Sequence, residues 1–169
     1  MAGTRKLGRP TDQRLAMLKT LTTDCLLNGK VVTTETRAKE VKALVDSIVA
    51  LAVKEYKNFE EVDAKVVKAK LDANGRKVTE KVTSKNGKEY LKVVKETTTE
   101  KRQKDMPSRL SARRNIMKKV NKVEGVDLMD KLFNELAPKY EGRVGGYTRI
   151  LKMEPRKCDN APKAILMLV

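Results

Sequence analysis

Cys158 and Asp159 stand side by side in RVGGYTRILKMEPRKCDNAPK, Arg143 to Lys163, which packs two adjacent glycines, two prolines, a tyrosine and six cations into twenty-one residues. Three chemistries would use such residues: a thiolate nucleophile, a metal site, or a surface that lies against phosphates. A nucleophilic cysteine needs a neighbouring base, most often histidine, and the chain contains no histidine. The same absence removes His-bearing zinc sites, and two cysteines cannot form a four-thiolate cluster. Neither G-x-x-x-x-G-K-[ST] nor G-x-G-x-x-G occurs. We therefore expect no catalytic residue, no metal and no cofactor. Cys25 falls on the apolar stripe of a helix and reads as core, and Cys158-Asp159 reads as part of a turn, since Asp159-Asn160 tolerate unusual backbone angles and Pro162 stiffens the exit.

That leaves the cations. The net charge is +16, from 38 Lys and Arg against 22 Asp and Glu. Residues 1–19, 57–104, 105–123 and 143–169 carry +4, +6, +5 and +4, whereas 20–56 is neutral and 124–142 carries −3. Like charge concentrated in this way repels itself, so a polyanion that relieves it is the natural partner. An anionic membrane face fits less well, because no segment pairs a basic face with a bulky apolar one. No apolar run reaches the length of about eighteen residues that spans a bilayer. The start, MAGTRKLGRPTDQR, is basic with no apolar stretch behind it, so it does not read as a secretory signal.

The candidate phosphate ligands follow from these excesses. Arg5, Lys6 and Arg9 lie in a basic leader over residues 1–10, expected to be an arm. Arg37, Lys39 and Lys42 decorate the first turns of a helix, and Arg37 and Lys39 of these are taken as candidates. Arg109, Arg113 and Arg114 crowd one short helix together with Lys118 and Lys119. Arg143, Arg149, Lys152, Arg156 and Lys157 cluster at one end of the terminal sheet, where Gly145 and Gly146 let the backbone turn tightly or approach another molecule.

The elements that must position them can be read along the chain. A helix capped by Thr11 runs to Asn28-Gly29, with Leu15, Leu18, Leu21 or Thr22, and Cys25 on one face. KVVTT, Lys30 to Thr34, is a strand. Thr34 caps a second helix, to about Tyr56, with Val41, Leu44, Val45, Ile48, Leu51 and Ala52 as its stripe. Asn58 opens a basic helix from Phe59 to about Asn74, and a hairpin turns at Asn86-Gly87 within 76–95. A two-residue turn there pairs Val82 with Leu91 but sets Lys81 against Lys92, so the register stays open. KETTTEKRQKD is an extended return, and residues 57–105 as a whole read as a protruding insertion. Pro107-Ser108 opens the basic helix, with Leu110, Met117 and Val120 inward. An acidic helix around Leu128–Leu136 continues past Pro138 with a kink. Two antiparallel strands, RVGGYTRIL and AILMLV, close the chain.

RKLGRPTDQRLAML (Arg5 to Leu18), TTETRAKEV (Thr33 to Val41), KLFNELAPKY (Lys131 to Tyr140), GGYTRILK (Gly145 to Lys152) and DNAPKAILMLV (Asp159 to Val169) make up 52 of the 169 residues and frame about two thirds of the chain, the part outside residues 57–105. In that order they closely resemble the bacterial large-subunit ribosomal proteins numbered seventeen in their series. The resemblance implies an α+β fold: two layers, in the order helix, strand, several helices and two strands, with one small mixed sheet. It implies a non-enzymatic protein in the cytoplasmic ribosome that binds large-subunit ribosomal RNA near the peptide exit and so supports translation. Neighbouring large-subunit proteins are the other expected partners; no membrane, no small-molecule substrate and no homo-oligomer is expected. By position, Arg5, Lys6, Arg9, Arg14, Arg143, Tyr147 and Arg149 inherit RNA-contact roles, with Tyr147 either stacked on a splayed base or half-buried in its strand. The stretch from Lys57 to Asp105 is longer than in compact members, and the resemblance does not extend to it.

Two readings from other classes compete. A DNA-compacting protein predicts a dimer seam and an apolar wedge in a basic arm, and neither is visible. A small enzyme acting on RNA needs a paired acid and base, and none is grouped.

Overall fold

The computed structural model describes residues 5–169, so the first four residues of the expected arm lie outside the described residues. In chain order the elements are α1 (Thr11–Asn28), β1 (Lys30–Thr34), α2 (Glu35–Glu55), β2 (Phe59–Ala69), β3 (Thr79–Thr83), β4 (Glu89–Val93) and β5 (Lys95–Asp105). Then come α3 (Pro107–Met117), a rod we label α4, β6 (Thr148–Met153) and β7 (Lys163–Leu168). The rod α4 joins Leu128–Asp130, a π-helical stretch Lys131–Leu136 and Ala137–Lys139. Two compact units result: one takes in the chain up to Asn58 and from Asp105 onward, the other is Phe59–Lys104.

The first unit is built around α2. Ala38, Val41, Val45, Ile48, Val49 and Ala52 are fully buried, at the three- and four-residue spacing of one helix face. Leu44 and Leu51 flank that stripe and are partly buried. α1 adds Leu18, Thr22, Cys25 and Leu26, but Leu15 points to solvent. Burying a threonine leaves a hydroxyl to satisfy, and Thr22 Oγ1 does so by donating to the Leu18 carbonyl at 2.8 Å. The helix stops at Gly29, whose φ of 71° suits glycine. Thr11 is its first residue rather than its cap; Pro10 precedes it, and the Pro10 carbonyl accepts from the Arg14 N–H at 2.9 Å. Thr34 does precede α2, without a side-chain cap.

Pro138 cannot donate an N–H, so an ordinary α-helix through it would be broken. The chain passes it by widening: the Ala137 N–H reaches back five residues to the Leu132 carbonyl. Leu128, Met129, Leu132, Phe133 and Ala137 of the rod enter the core.

The α+β class is as expected, but the sheet is antiparallel rather than mixed. Its order is β1-β7-β6, with the last strand in the centre and both neighbours running against it. Val31, Leu166 and Ile150 share one row and belong to the core, whereas the next row, Val32, Ile165 and Leu151, lies on the opposite face.

The second unit contains no helix, which corrects the helix expected over Phe59–Asn74. β2 pairs instead with β5, and their bonds, Lys70 N–H to the Val94 carbonyl and Thr98 Oγ1 to the Val66 carbonyl, run the two strands in opposite directions. Phe59, Val62, Val66 and Ala69 fit a helical stripe, but they also lie among β-branched residues, and the Thr97–Thr99 run supplies a partner strand. Gly75, at φ 73°, closes a turn onto Asp72.

The hairpin is present, one residue out of the expected register. Gly87 N–H donates to Ser84 and Ser84 N–H to Lys88, leaving Lys85-Asn86-Gly87 as a three-residue loop with Gly87 at φ 74°. Val82 then faces Tyr90 rather than Leu91, and Lys92 faces Glu80 rather than Lys81. The slip exchanges a like-charge pair for an opposite-charge one, which is the physical reason to favour it.

Candidate nucleic-acid interface

The Gly145-Gly146 pair does specific work. Both residues adopt positive φ, 88° and 63°, and fold the chain back so that the Gly145 and Gly146 carbonyls accept from Arg143 at 3.3 and 2.7 Å. The Arg143 carbonyl in turn accepts the Tyr147 hydroxyl at 2.8 Å. Arg143 is thereby held in one pose while the rest of its planar fork remains free to donate. Next along the chain, Arg149 points outward from β6. Lys42, from the second turn of α2, completes a concavity of about 440 Å³ lined also by Arg143, Gly146, Thr148, Arg149, Ile150 and Val169. No Asp or Glu side chain lines it. Asp46 is not among the lining residues and accepts from the Thr148 hydroxyl at 2.9 Å. Three cations around a concave surface lined by no acidic side chain form a site for a phosphate or another compact anion.

Tyr147 does not join this surface. It is 3% exposed, and its ring meets the edge of Tyr140 at 5.4 Å between centroids. Of the two expected readings, stacked on a base or buried at its strand, the second is the one that fits, and its hydroxyl donates to the Arg143 carbonyl.

Residues 5–10 of the leader are folded against the core rather than extended as an arm. Leu7, at φ 55°, and Gly8, at φ 66°, bend the chain, the Arg9 N–H donates to the Lys6 carbonyl at 3.2 Å, and Leu7 packs against the core. Lys6 and Arg9 are left exposed. Arg5 lies 3.7 Å from Glu40, and Arg14 is half-buried. On α2, Lys39 pairs with Glu35 at 2.8 Å, and Lys152 reaches the same carboxylate at 3.5 Å. The Lys39 hydrogen bond, aided by the charge of Lys152, pulls Glu35 below its ordinary carboxylate range. Arg37 is half-buried nearby on the same helix.

The basic helix α3 is rotated relative to expectation. Arg109, Ala112 and Ile116 face inward, and Leu110 and Met117 face solvent. Arg109 is 3% exposed, pairs with Asp105 at 3.2 Å and lies over the Phe133 ring at 5.2 Å. Arg113 binds the other oxygen of Asp105 at 3.2 Å and covers the same ring at 5.8 Å. A guanidinium enters a core when a carboxylate and an aromatic face meet it there. Arg109 is therefore held in the core, which corrects the phosphate contact expected of it, whereas Arg114, with Lys118, remains exposed.

In the loop before β7, Arg156 pairs with Asp159 at 3.3 Å, the Ala161 N–H donates to the Asp159 carboxylate at 3.2 Å, and Asn160 takes φ 49°. Asp159 thus organises a turn, with Lys157 and Cys158 exposed on it. Cys25 is fully buried, and burial with the charges of Asp46 and Asp24 pushes its thiol up to about 11. Cys25 is inert by burial, and Cys158 has no histidine to act as its base, since the chain contains none. No group of residues suited to a metal ion occurs among the described residues.

The model for "Ribosomal protein L17" matches residues 17–169. The chain belongs to the ribosomal protein L17 family. Curated relatives named large ribosomal subunit protein bL17 include that of Acetivibrio thermocellus, 51% identical with all of both chains covered. The protein of Lachnospira eligens is 45% identical, again over all of both chains, and that of Streptococcus uberis 36% over 98% of each. Family membership bears out the expectation of a ribosomal protein of the cytoplasm rather than an enzyme. Lys42 is the L17 residue that sequence reasoning left out of the site. It was visible as a cation on α2, but only folding sets it beside Arg143 and Arg149.

Proposed function

We propose that this protein is a structural constituent of the large ribosomal subunit that binds large-subunit ribosomal RNA, near the region where the peptide exits, and meets neighbouring large-subunit proteins there. The observation that carries the RNA reading is the concavity formed by Lys42, Arg143 and Arg149, with Arg143 preset by two glycine carbonyls. A preset fork loses less freedom on gripping a phosphate than a loose side chain does. Lys6 and Arg9 on the leader, Arg37 on α2, Arg114 on α3 and Lys157 in the loop before β7 supply further exposed or half-exposed charge. Neutralising phosphates releases counterions and lowers the repulsion between RNA segments packed against the protein. The position near the exit rests on the family alone.

The tagged full-length protein, expressed in cells, should sediment with large subunits and stay with them through a high-salt wash. Recovery with chromosomal DNA, and not with subunits, would favour the DNA-compacting reading instead.

A further inference from the structure

The aromatic ring suited to stack on RNA is not Tyr147 but Tyr90. Tyr90 lies on β4 of the 79–93 hairpin and is 50% exposed, whereas Tyr140 and Tyr147 are buried in the first unit. Its cross-strand partner Val82 is half-buried, which supports one side of the position with an apolar neighbour. Side chains two apart along a strand share a face, so Lys88 and Lys92 flank Tyr90 on the same side of the hairpin. Both are exposed, and neither takes part in an ion pair among the described residues. Glu80, opposite Lys92, is the acidic residue on that face. The register decides this. In the two-residue-turn alternative Val82 would face Leu91 and Lys81 would face Lys92; the three-residue loop sets Tyr90 on Val82 and moves Lys92 opposite Glu80.

We propose that Tyr90 stacks on an unpaired base of large-subunit ribosomal RNA while Lys88 and Lys92 take the phosphates on either side. Unstacked bases are the part of RNA that aromatic side chains read, and a base–ring stack tolerates many sequences. The proposal rests on the RNA-binding reading but uses a different unit of the chain, and its test separates the two.

The chain has no tryptophan, so Tyr90→Trp introduces a single indole. Titrating that full-length variant with folded large-subunit ribosomal RNA, and following binding separately by filter retention, should quench the indole in step with retention. Tyr90→Phe should bind like the parent. Tyr90→Leu, which keeps an apolar partner for Val82 but has no ring, should bind about five- to a hundredfold more weakly. Its salt dependence should be unchanged, because no phosphate contact is lost. RNA that is retained while the indole stays bright, or a Tyr90→Leu protein that binds like the parent, overturns this inference and leaves the RNA reading intact. Failure of the parent itself to retain RNA overturns both.

Discussion

Single residues here divide into those that hold the core and those that offer charge, and the division is visible in their surroundings. Cys25 belongs to the first kind. Its thiol is raised from an ordinary 9.0 to about 11, so the folded protein holds that proton where the unfolded chain has released it. The corresponding stability is present below about pH 9 and is lost as the pH rises from 9 towards 11. Unfolding in urea across that interval should show a steeper decline for the parent than for Cys25→Ala. Equal slopes would mean that the thiol has no raised affinity for its proton. Gly145 belongs to the second kind, because it presets Arg143. A methyl added there meets nothing within 4 Å, so Gly145→Ala carries only the left-handed backbone strain, roughly 1–2 kcal/mol. Urea unfolding should show that loss, and RNA affinity should fall with it as Arg143 loses its fixed pose.

At the scale of elements, α3 shows how a cation-rich helix can point its charge inward. Five cations on a short helix suggest a solvated or phosphate-bound face, yet Arg109 is taken into the core by Asp105 and Phe133. Removing Arg109 strips one of two cations from Asp105, which Arg113 still holds by its other oxygen, so the cost is up to about 3 kcal/mol, the upper end for a bond to a charged group. Arg109→Ala should accordingly lower unfolding stability by up to about 3 kcal/mol, whereas Arg114→Ala, at an exposed site, should change it by less than about 0.5 kcal/mol and act only on RNA affinity. Thermal unfolding of the two variants checks this; equal losses would contradict the assignment.

The same scale shows what sequence could and could not give. α1 ending at Asn28-Gly29, the strand Lys30–Thr34 and the α2 stripe are local patterns, and the structure places them where the spacing does. β2 was misread because Phe59, Val62, Val66 and Ala69 satisfy helical spacing, and the strand that claims them starts at Lys95, far along the chain. The hairpin turn was legible from Asn86-Gly87, but its register depended on whether Lys81 or Glu80 would face Lys92. The inward turn of Arg109 depended on Phe133, and the site itself on Lys42 meeting Arg143. These are long-range contacts, which no local pattern records.

At the scale of the whole molecule, the net charge of +16 sits on a core assembled from helices packed on one face of a three-stranded sheet, with a separate β unit that carries its own basic residues. The ion pairs that bind Lys39 and Lys152 to Glu35, and Arg156 to Asp159, occupy part of that charge. The Lys42, Arg143 and Arg149 concavity is lined by no Asp or Glu side chain, and it is the feature on which the RNA reading depends. The most direct test is the salt dependence of binding to large-subunit ribosomal RNA, measured for the parent and for the Lys42→Ala, Arg143→Ala, Arg149→Ala variant. If these residues hold phosphates, the log–log slope should become shallower by about 0.7 to 0.9 for each contact removed. A variant that folds normally and keeps the parent's slope and affinity would contradict the account.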